Sequence, residues 1–202
     1  GTYALKGTFG AINRQGAFSA ADSMDHLGVF GGSLSDMWIA ARHMAKLGGG
    51  DPGYPGLFGG DAPPAPKKPA RLIRLDTAGW DQTDDATKAA YEKFLGTLTD
   101  AGVEIFSRAD DPAIESYEQV FAEMPELWRS LYRFEFQWPM LQYKERYPDQ
   151  IPPRLLMGLK EAEGLSQAEY REALNRRVRI RDLHRQLCQR ADAFITLSSP
   201  GP

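Results

Sequence analysis

Cysteine is almost missing from this sequence of 202 residues. The one cysteine, Cys188, excludes an internal disulfide and any zinc site built from several cysteines. Its neighbours in the last helical segment are apolar, which favours a buried thiol that packs in the core over a nucleophile. No apolar run reaches the roughly 20 residues of a transmembrane helix. We therefore expect a protein of the reducing cytoplasm without a membrane partner.

The sequence also has little net charge and few histidines. Its net charge is −3, from 24 basic and 27 acidic residues, so no bulk attraction to nucleic acid or an anionic membrane is expected. The three histidines, His26, His43 and His184, lie far apart and in no metal-ligand spacing. The glycine clusters match no phosphate-binding loop. We predict no metal ion, no cofactor and no nucleic acid partner.

Glycine and proline divide the chain. Of the 20 glycines, 14 lie in residues 1–69, which indicates a loop-rich first third. The stretch Asp61-Ala-Pro-Pro-Ala-Pro-Lys-Lys-Pro69 is stiff and is typical of a connector. We therefore predict a sheet and loop segment with one capped helix in residues 1–60, a connector over 61–69, and a βαβ unit followed by a helical block in 70–202.

Two capping signatures predict helix starts. Ser33-Leu-Ser-Asp36 and Ser166-Gln-Ala-Glu169 place a hydroxyl and, three residues later, a carboxylate where they bind free N–H groups of a first turn. We expect a helix after each of them, and the second one to be long.

A strand, a helix and a strand follow the connector. Residues 70–75 and 103–106 are short segments rich in apolar residues and typical of strands, and a helical segment begins at 83–85 between them. Short joints of this kind predict a parallel pair, and residues 193–197 are expected to form a final buried strand. We predict an α/β fold, part of an α/β/α layered core with a mixed β-sheet flanked by helices and a helix-rich C-terminal half.

The helical block is rich in aromatic residues. Pro139 is expected to kink or break it. Ordinary helix packing explains most of these aromatics, but aromatics beside a kink also line pockets for apolar ligands. The residues that we predict as a substrate-pocket wall are Trp128, Tyr132, Trp138 and Tyr143.

The last long helix is basic. The simpler interpretation is a solvated face opposite an apolar stripe formed by Tyr170, Leu174, Val178, Leu183 and Leu187. The alternative is a surface for an acidic partner. Its seven arginines are Arg171, Arg176, Arg177, Arg179, Arg181, Arg185 and Arg190.

The first forty residues carry the most specific pattern. The ordered segments are Gly1-Thr-Tyr-Ala-Leu-Lys-Gly-Thr-Phe-Gly10, Arg14-Gln-Gly16, Ser23-Met-Asp-His-Leu-Gly-Val-Phe30 and Ser33-Leu-Ser-Asp36. This order resembles the amidase signature family, whose pattern runs G-x-x-G-x-K-P-T-x-G, R-x-G, S-x-D-x-x-G-x-F and S-x-x-D. Gly7 departs from the proline of the pattern, and Ala4 from a glycine.

A second match lies at the other end of the chain. Asp192-Ala193 followed by Phe194-Ile-Thr-Leu-Ser-Ser-Pro-Gly-Pro202 is similar to the D-A-L-L-T-P-T-x-P segment of the family. Leu197-Ser198-Ser199 replaces the Thr-Pro step. Residues 50–190 resemble the family in element order alone.

The resemblance implies amide hydrolysis by a Ser–cis-Ser–Lys triad, with a small-molecule amide as substrate of the full-length enzyme. All three triad residues precede the matched segment in the family, so we expect a fragment that begins just after the nucleophile turn and is inactive alone. No residue here is carried over as catalytic. Lys6, Gly10, Ser23, Asp25 and Gly28 match positions that we interpret as structural.

We further expect the isolated chain to self-associate, because a divided sheet exposes a strand edge. The alternative is a binding or assembly module that uses the same half-fold without catalysis. The substrate amide is not readable from these residues.

Overall fold

The computed structural model of the chain describes residues 2–200. Gly1 and residues 201–202, which belong to the two matched segments, lie outside the described residues. The described chain contains six α-helices and five short strands, which confirms the α/β class. None of these helices combines the length and the apolar character that crossing a membrane requires.

The chain divides into two compact units. One contains residues up to Pro66 together with Tyr132–Leu165, and the other contains Lys67–Leu131 together with the residues from Ser166 onwards. The first division falls inside the proline-rich stretch 61–69. The second, between Leu131 and Tyr132, falls inside a helix, and the third lies between Leu165 and Ser166.

The first unit begins with a two-stranded antiparallel sheet. Strand β1 (Tyr3–Lys6) pairs with β2 (Gly28–Gly31), so that Leu5 lies opposite Val29. Helix α1 (Leu34–Gly48) follows, and the Ser33 hydroxyl accepts a hydrogen bond from the Asp36 N–H at 3.1 Å. The predicted helix start is confirmed. The core that these elements share contains Ile12, Ala41 and Ala45, surrounded by Leu5, Leu27, Val29, Met44 and Leu57.

The sequence predicts that Pro139 kinks or breaks the helical block. Helix α4 (Met124–Arg146) continues through Pro139, so the break does not occur. Proline removes one N–H from the helix, which costs free energy. Phe136 and Met140 flank it and are each 1% exposed, and they pack on Leu159 of helix α5 (Pro153–Ala162). Burial of these side chains outweighs the missing hydrogen bond.

The second unit contains a parallel three-stranded sheet. Strand β3 (Arg71–Arg74) lies between β4 (Glu104–Phe106) and β5 (Ala193–Ile195), and both neighbours run parallel to it. Helix α2 (Asp85–Asp100) connects β3 to β4. The predicted βαβ unit is therefore confirmed. The predicted final strand is present but shorter than 193–197, and it is only partly buried.

The Asp192 carboxylate joins the starts of two strands in this sheet. It accepts hydrogen bonds from the N–H groups of Ala70 at 2.7 Å and Arg71 at 3.0 Å. These N–H groups lower the pKa of Asp192. The acid–alanine pair that opens the second matched segment thus fixes where β5 begins beside β3.

Two further helices complete this unit, α3 (Pro112–Phe121) and α6 (Gln167–Leu187). Ser166 and Glu169 form the predicted capping box at the start of α6. The buried residues of α6 are Ala173, Ile180 and Leu187.

The predicted apolar stripe of α6 is only partly right. The buried residues recur every seven positions, which makes a narrow seam on the side that contacts α3. Val178 lies outside this seam and is 52% exposed. Cys188 follows the last helical residue and is exposed, so its predicted burial is wrong.

Candidate functional site

A loop in the first unit contains the matched residue Gly10 and a buried ion pair. Arg14 donates from its backbone N–H to Asp51 at 2.8 Å and from its Nε at 2.6 Å. The Asp51 N–H donates in turn to the carbonyl of Gly10 at 2.9 Å. Gly10 has φ +74°, and a Cβ there would lie 2.4 Å from the ring of Tyr54. Only glycine fits this turn without strain.

Burial and ion pairing act on Asp51 in opposite directions. Burial alone raises the pKa of this carboxyl, but the hydrogen bonds and charge of Arg14 outweigh it and hold the pKa below its ordinary value of 3.8. Arg14 also lies 4.9 Å from the centre of the Phe9 ring. The pair holds the loop and leaves Asp51 ionised at neutral pH.

Ser23 and Asp25 lie in the turn before β2. The Asp25 carboxylate accepts from the N–H groups of Ala20 at 2.7 Å and Ala21 at 2.9 Å. The Ser23 N–H donates to Glu135 of α4 at 2.8 Å, and the Ser23 hydroxyl donates to the same carboxylate. These two side chains therefore connect the turn to itself and to α4.

Lys6 and Gly28 lie opposite each other in the antiparallel pair. A Cβ on Gly28 would lie 2.9 Å from the carbonyl oxygen of Leu5, so the strands approach too closely for a larger residue. The Lys6 side chain is exposed. The structure thus spreads the five matched residues over a strand pair and two turns.

The four aromatic residues predicted as a pocket wall lie along α4. By helical spacing Trp128, Tyr132 and Tyr143 share a side, whereas Trp138 points elsewhere. Tyr132 stacks on Phe136 at 5.2 Å and is partly buried. The exposed fractions of Trp128, Trp138 and Tyr143 are 49%, 69% and 41%.

Sequence reasoning missed a polar cluster at the carboxyl end of β3. Arg74 pairs with Asp76 at 2.7 Å and with Glu92 at 2.7 Å. Its guanidinium lies 4.7 Å from the Trp80 ring centre and 5.6 Å from that of Tyr91. Burial raises the pKa of Tyr91 to about 12, and its hydroxyl has no hydrogen-bond partner in the described part of the chain.

Glu118 of α3 completes this polar cluster. Its carboxylate accepts from the N–H groups of Asp76 and Thr77, both at 2.9 Å, and its side chain is 3% exposed. Thr77 has φ +59°, a left-handed conformation that its hydrogen bond to Glu118 stabilises. Carboxyl ends of parallel strands are common ligand sites, so the position of Asp76 after β3 was a usable signal. No sequence signal pointed to Glu118, because it lies in α3, about forty residues after the end of β3.

His184 packs inside the second unit. Its ring stacks on Phe194 at 4.6 Å, and its Nδ1 lies 3.1 Å from the Tyr117 hydroxyl. Burial lowers the pKa of His184, and burial also raises the pKa of Tyr117 to about 12. Both rings are neutral at pH 7, as expected for a packing histidine.

A groove lies beside α6 in the second unit. Its volume is ≈ 430 Å³, and it is lined by Val120, Glu123, Glu172, Arg176, Arg179 and Ile180. Arg176 pairs with Glu123 at 2.5 Å. In the described residues no group of three or more histidine, cysteine, aspartate or glutamate side chains is arranged to hold a metal ion.

A solved amidase structure has a similar fold. The match has a TM-score of 0.66 at 16% sequence identity, and it covers 89% of this chain and 36% of the amidase chain. The chain thus spans about a third of the length of that protein. No family model matches the sequence, and no curated protein matches it significantly. At this identity the comparison establishes the fold.

Proposed function

We propose that this chain is part of an enzyme that hydrolyses carboxylic amides. The observation that carries the proposal is the fold similarity to an amidase over 89% of the chain. The ordered motifs in residues 1–36, interpreted from the sequence alone, support the same family.

The role proposed for these 202 residues is support. Gly10, Asp25 and Gly28 fix turns and a strand pair, and Ser23 joins a turn to α4. Ser23 does have a carboxylate beside its hydroxyl, but the Glu135 carboxylate also accepts from the Ser23 backbone N–H, so this contact holds the turn to α4. The triad implied by the resemblance uses a lysine, not a carboxylate, as its base. We therefore propose that the Ser–cis-Ser–Lys triad implied by the resemblance lies outside this chain.

The proposed chemistry needs two steps. The serine hydroxyl attacks the amide carbonyl, its proton reaches the leaving amine through the relay serine and lysine, and the C–N bond breaks. Water then hydrolyses the acyl ester and releases the acid. The aromatic residues Trp128, Tyr132, Trp138 and Tyr143 remain the proposed pocket wall, and a small-molecule amide remains the proposed substrate.

An assay of two polypeptides tests this proposal. The 202-residue chain and a version extended at its amino end by its natural coding sequence are incubated with peptide, fatty and aryl amides. We expect no turnover from the first. From the second we expect turnover that a serine-directed fluorophosphonate abolishes.

Two results would contradict the proposal in different ways. Turnover by the 202-residue chain alone would place the catalytic residues inside it. A folded, extended polypeptide without turnover or fluorophosphonate labelling would favour the non-catalytic binding or assembly module.

A further inference from the structure

The groove beside α6 has a specific charge pattern. Glu172, Arg176 and Arg179 are spaced i, i+4 and i+7, which places them on one side of the helix. The central arginine is neutralised by Glu123. Glu172 and Arg179 form no ion pair or hydrogen bond with other described residues. The groove therefore has an acidic end, a neutral middle and a basic end.

The two ends are separated by a defined length. Seven residues of α-helix rise about 10 Å, so the Cα atoms of Glu172 and Arg179 are about 10 Å apart along the helix axis. The apolar lining of the groove is formed by the partly buried Val120 of α3 and by Ile180, which is 6% exposed and follows Arg179 at the basic end. The volume of ≈ 430 Å³ lies within the range of small-ligand sites.

We propose that this groove binds a short zwitterionic peptide of about three residues. An extended tripeptide spans about 10 Å, which matches the separation of the two ends. Its ammonium group pairs with Glu172, its carboxylate with Arg179, and an apolar side chain contacts Val120 and Ile180. This site is independent of the amide hydrolysis proposed above.

Charge complementarity favours this ligand over simpler ones. A free amino acid carries its two charges too close together to reach both ends. A simple anion pairs with Arg179 but leaves Glu172 unpaired, and a simple cation does the reverse. Only a ligand with opposite charges about 10 Å apart satisfies both ends.

Titration of the full 202-residue chain with Ala-Leu-Ala tests the proposal. Binding is followed by NMR shifts of amides in α6, and the peptide is compared with its N-acetylated and C-amidated forms. Each ion pair is partly exposed, so we expect each cap to weaken binding about two- to fivefold. Equal affinity of capped and uncapped peptides overturns the proposal, as does the absence of millimolar binding.

Two variants connect the affinity to these residues. Arg179→Gln should weaken the uncapped peptide about two- to fivefold and leave the C-amidated peptide unchanged. Glu172→Gln should likewise weaken the uncapped peptide about two- to fivefold and leave the N-acetylated peptide unchanged. Arg181→Gln and Glu126→Gln are the matched controls, since they make the same charge changes outside the groove. An Arg179 variant that behaves like the Arg181 control overturns the site.

Discussion

The ion pair between Arg14 and Asp51 determines the conformation of the loop after β1. Both side chains are largely buried, at 16% and 8% exposed. A buried pair contributes little net stability when intact, but removal of one partner leaves an unpaired charge and is strongly destabilising. Asp51 is therefore important for the stability of this loop, although it lies 37 residues after Arg14 in the sequence.

Asp51→Asn should lower the free energy of unfolding at pH 7 by about 3 kcal/mol, because it leaves Arg14 buried without its charge partner. The pKa of Asp51 is depressed in the folded chain. Its stabilisation is therefore fully present above the ordinary pKa of 3.8 and is lost as pH falls through the lower folded pKa. Urea unfolding at pH 7 and in a series below pH 4 measures both effects.

Asp61→Asn is the matched control for this experiment. The Asp61 side chain is 76% exposed and lies 3.4 Å from Lys46. Its effect should be within about 0.5 kcal/mol at any pH. A comparable loss in the two variants would show that the buried pair does not hold the loop.

At the scale of elements, Glu118 joins α3 to the end of β3. Its carboxylate accepts two consecutive backbone N–H groups, one of them from the left-handed Thr77. A glutamine retains one acceptor oxygen but turns an NH₂ group toward the second N–H. Arg108 lies 3.9 Å from the Glu118 carboxylate and also pairs with Glu115 at 2.5 Å.

Glu118→Gln should lower the free energy of unfolding by about 2 kcal/mol, the cost of a buried unsatisfied N–H. Hydrogen exchange at Asp76 and Thr77 should accelerate in the same variant. Glu126→Gln, an exposed change at the start of α4, is expected to leave both unchanged. Unaltered exchange at Asp76 and Thr77 would contradict the proposed connection.

For the whole molecule, the two-stranded sheet of the first unit is the main source of expected association. In the described chain β1 and β2 pair only with each other, so each strand keeps an open edge. Phe30 on β2 is 80% exposed, and Leu34 shortly after it is 66% exposed. An open edge beside apolar side chains favours pairing with another copy of the chain.

Light scattering at increasing concentration should give a mass above the 22.5 kDa of one chain. Phe30→Lys should reduce this association, because a charge on the strand disfavours edge pairing. Phe58→Lys is the control, since Phe58 is 72% exposed in a loop. A single-chain mass at every concentration would contradict the expectation, and equal effects of the two variants would exclude the strand edge.

Local features of the fold were readable from the sequence. The helix starts at Ser33 and Ser166 and the strand–helix–strand unit after the connector were all predicted correctly. Each depends on neighbours within a few residues, such as a hydroxyl and an N–H three positions apart. Sequence order is sufficient for such contacts.

Only the tertiary structure decided the rest. The pairing of Ser23 with Glu135 and of Glu118 with Thr77 joins residues far apart in sequence. The helix also continues through Pro139 because the side chains beside it are buried by another helix. The free energy gained by such packing depends on which helices and strands contact each other in the folded chain. The local sequence pattern does not specify these contacts. The sequence by itself thus determined the elements and their order, whereas packing determined the buried pairs, the groove and the open edge.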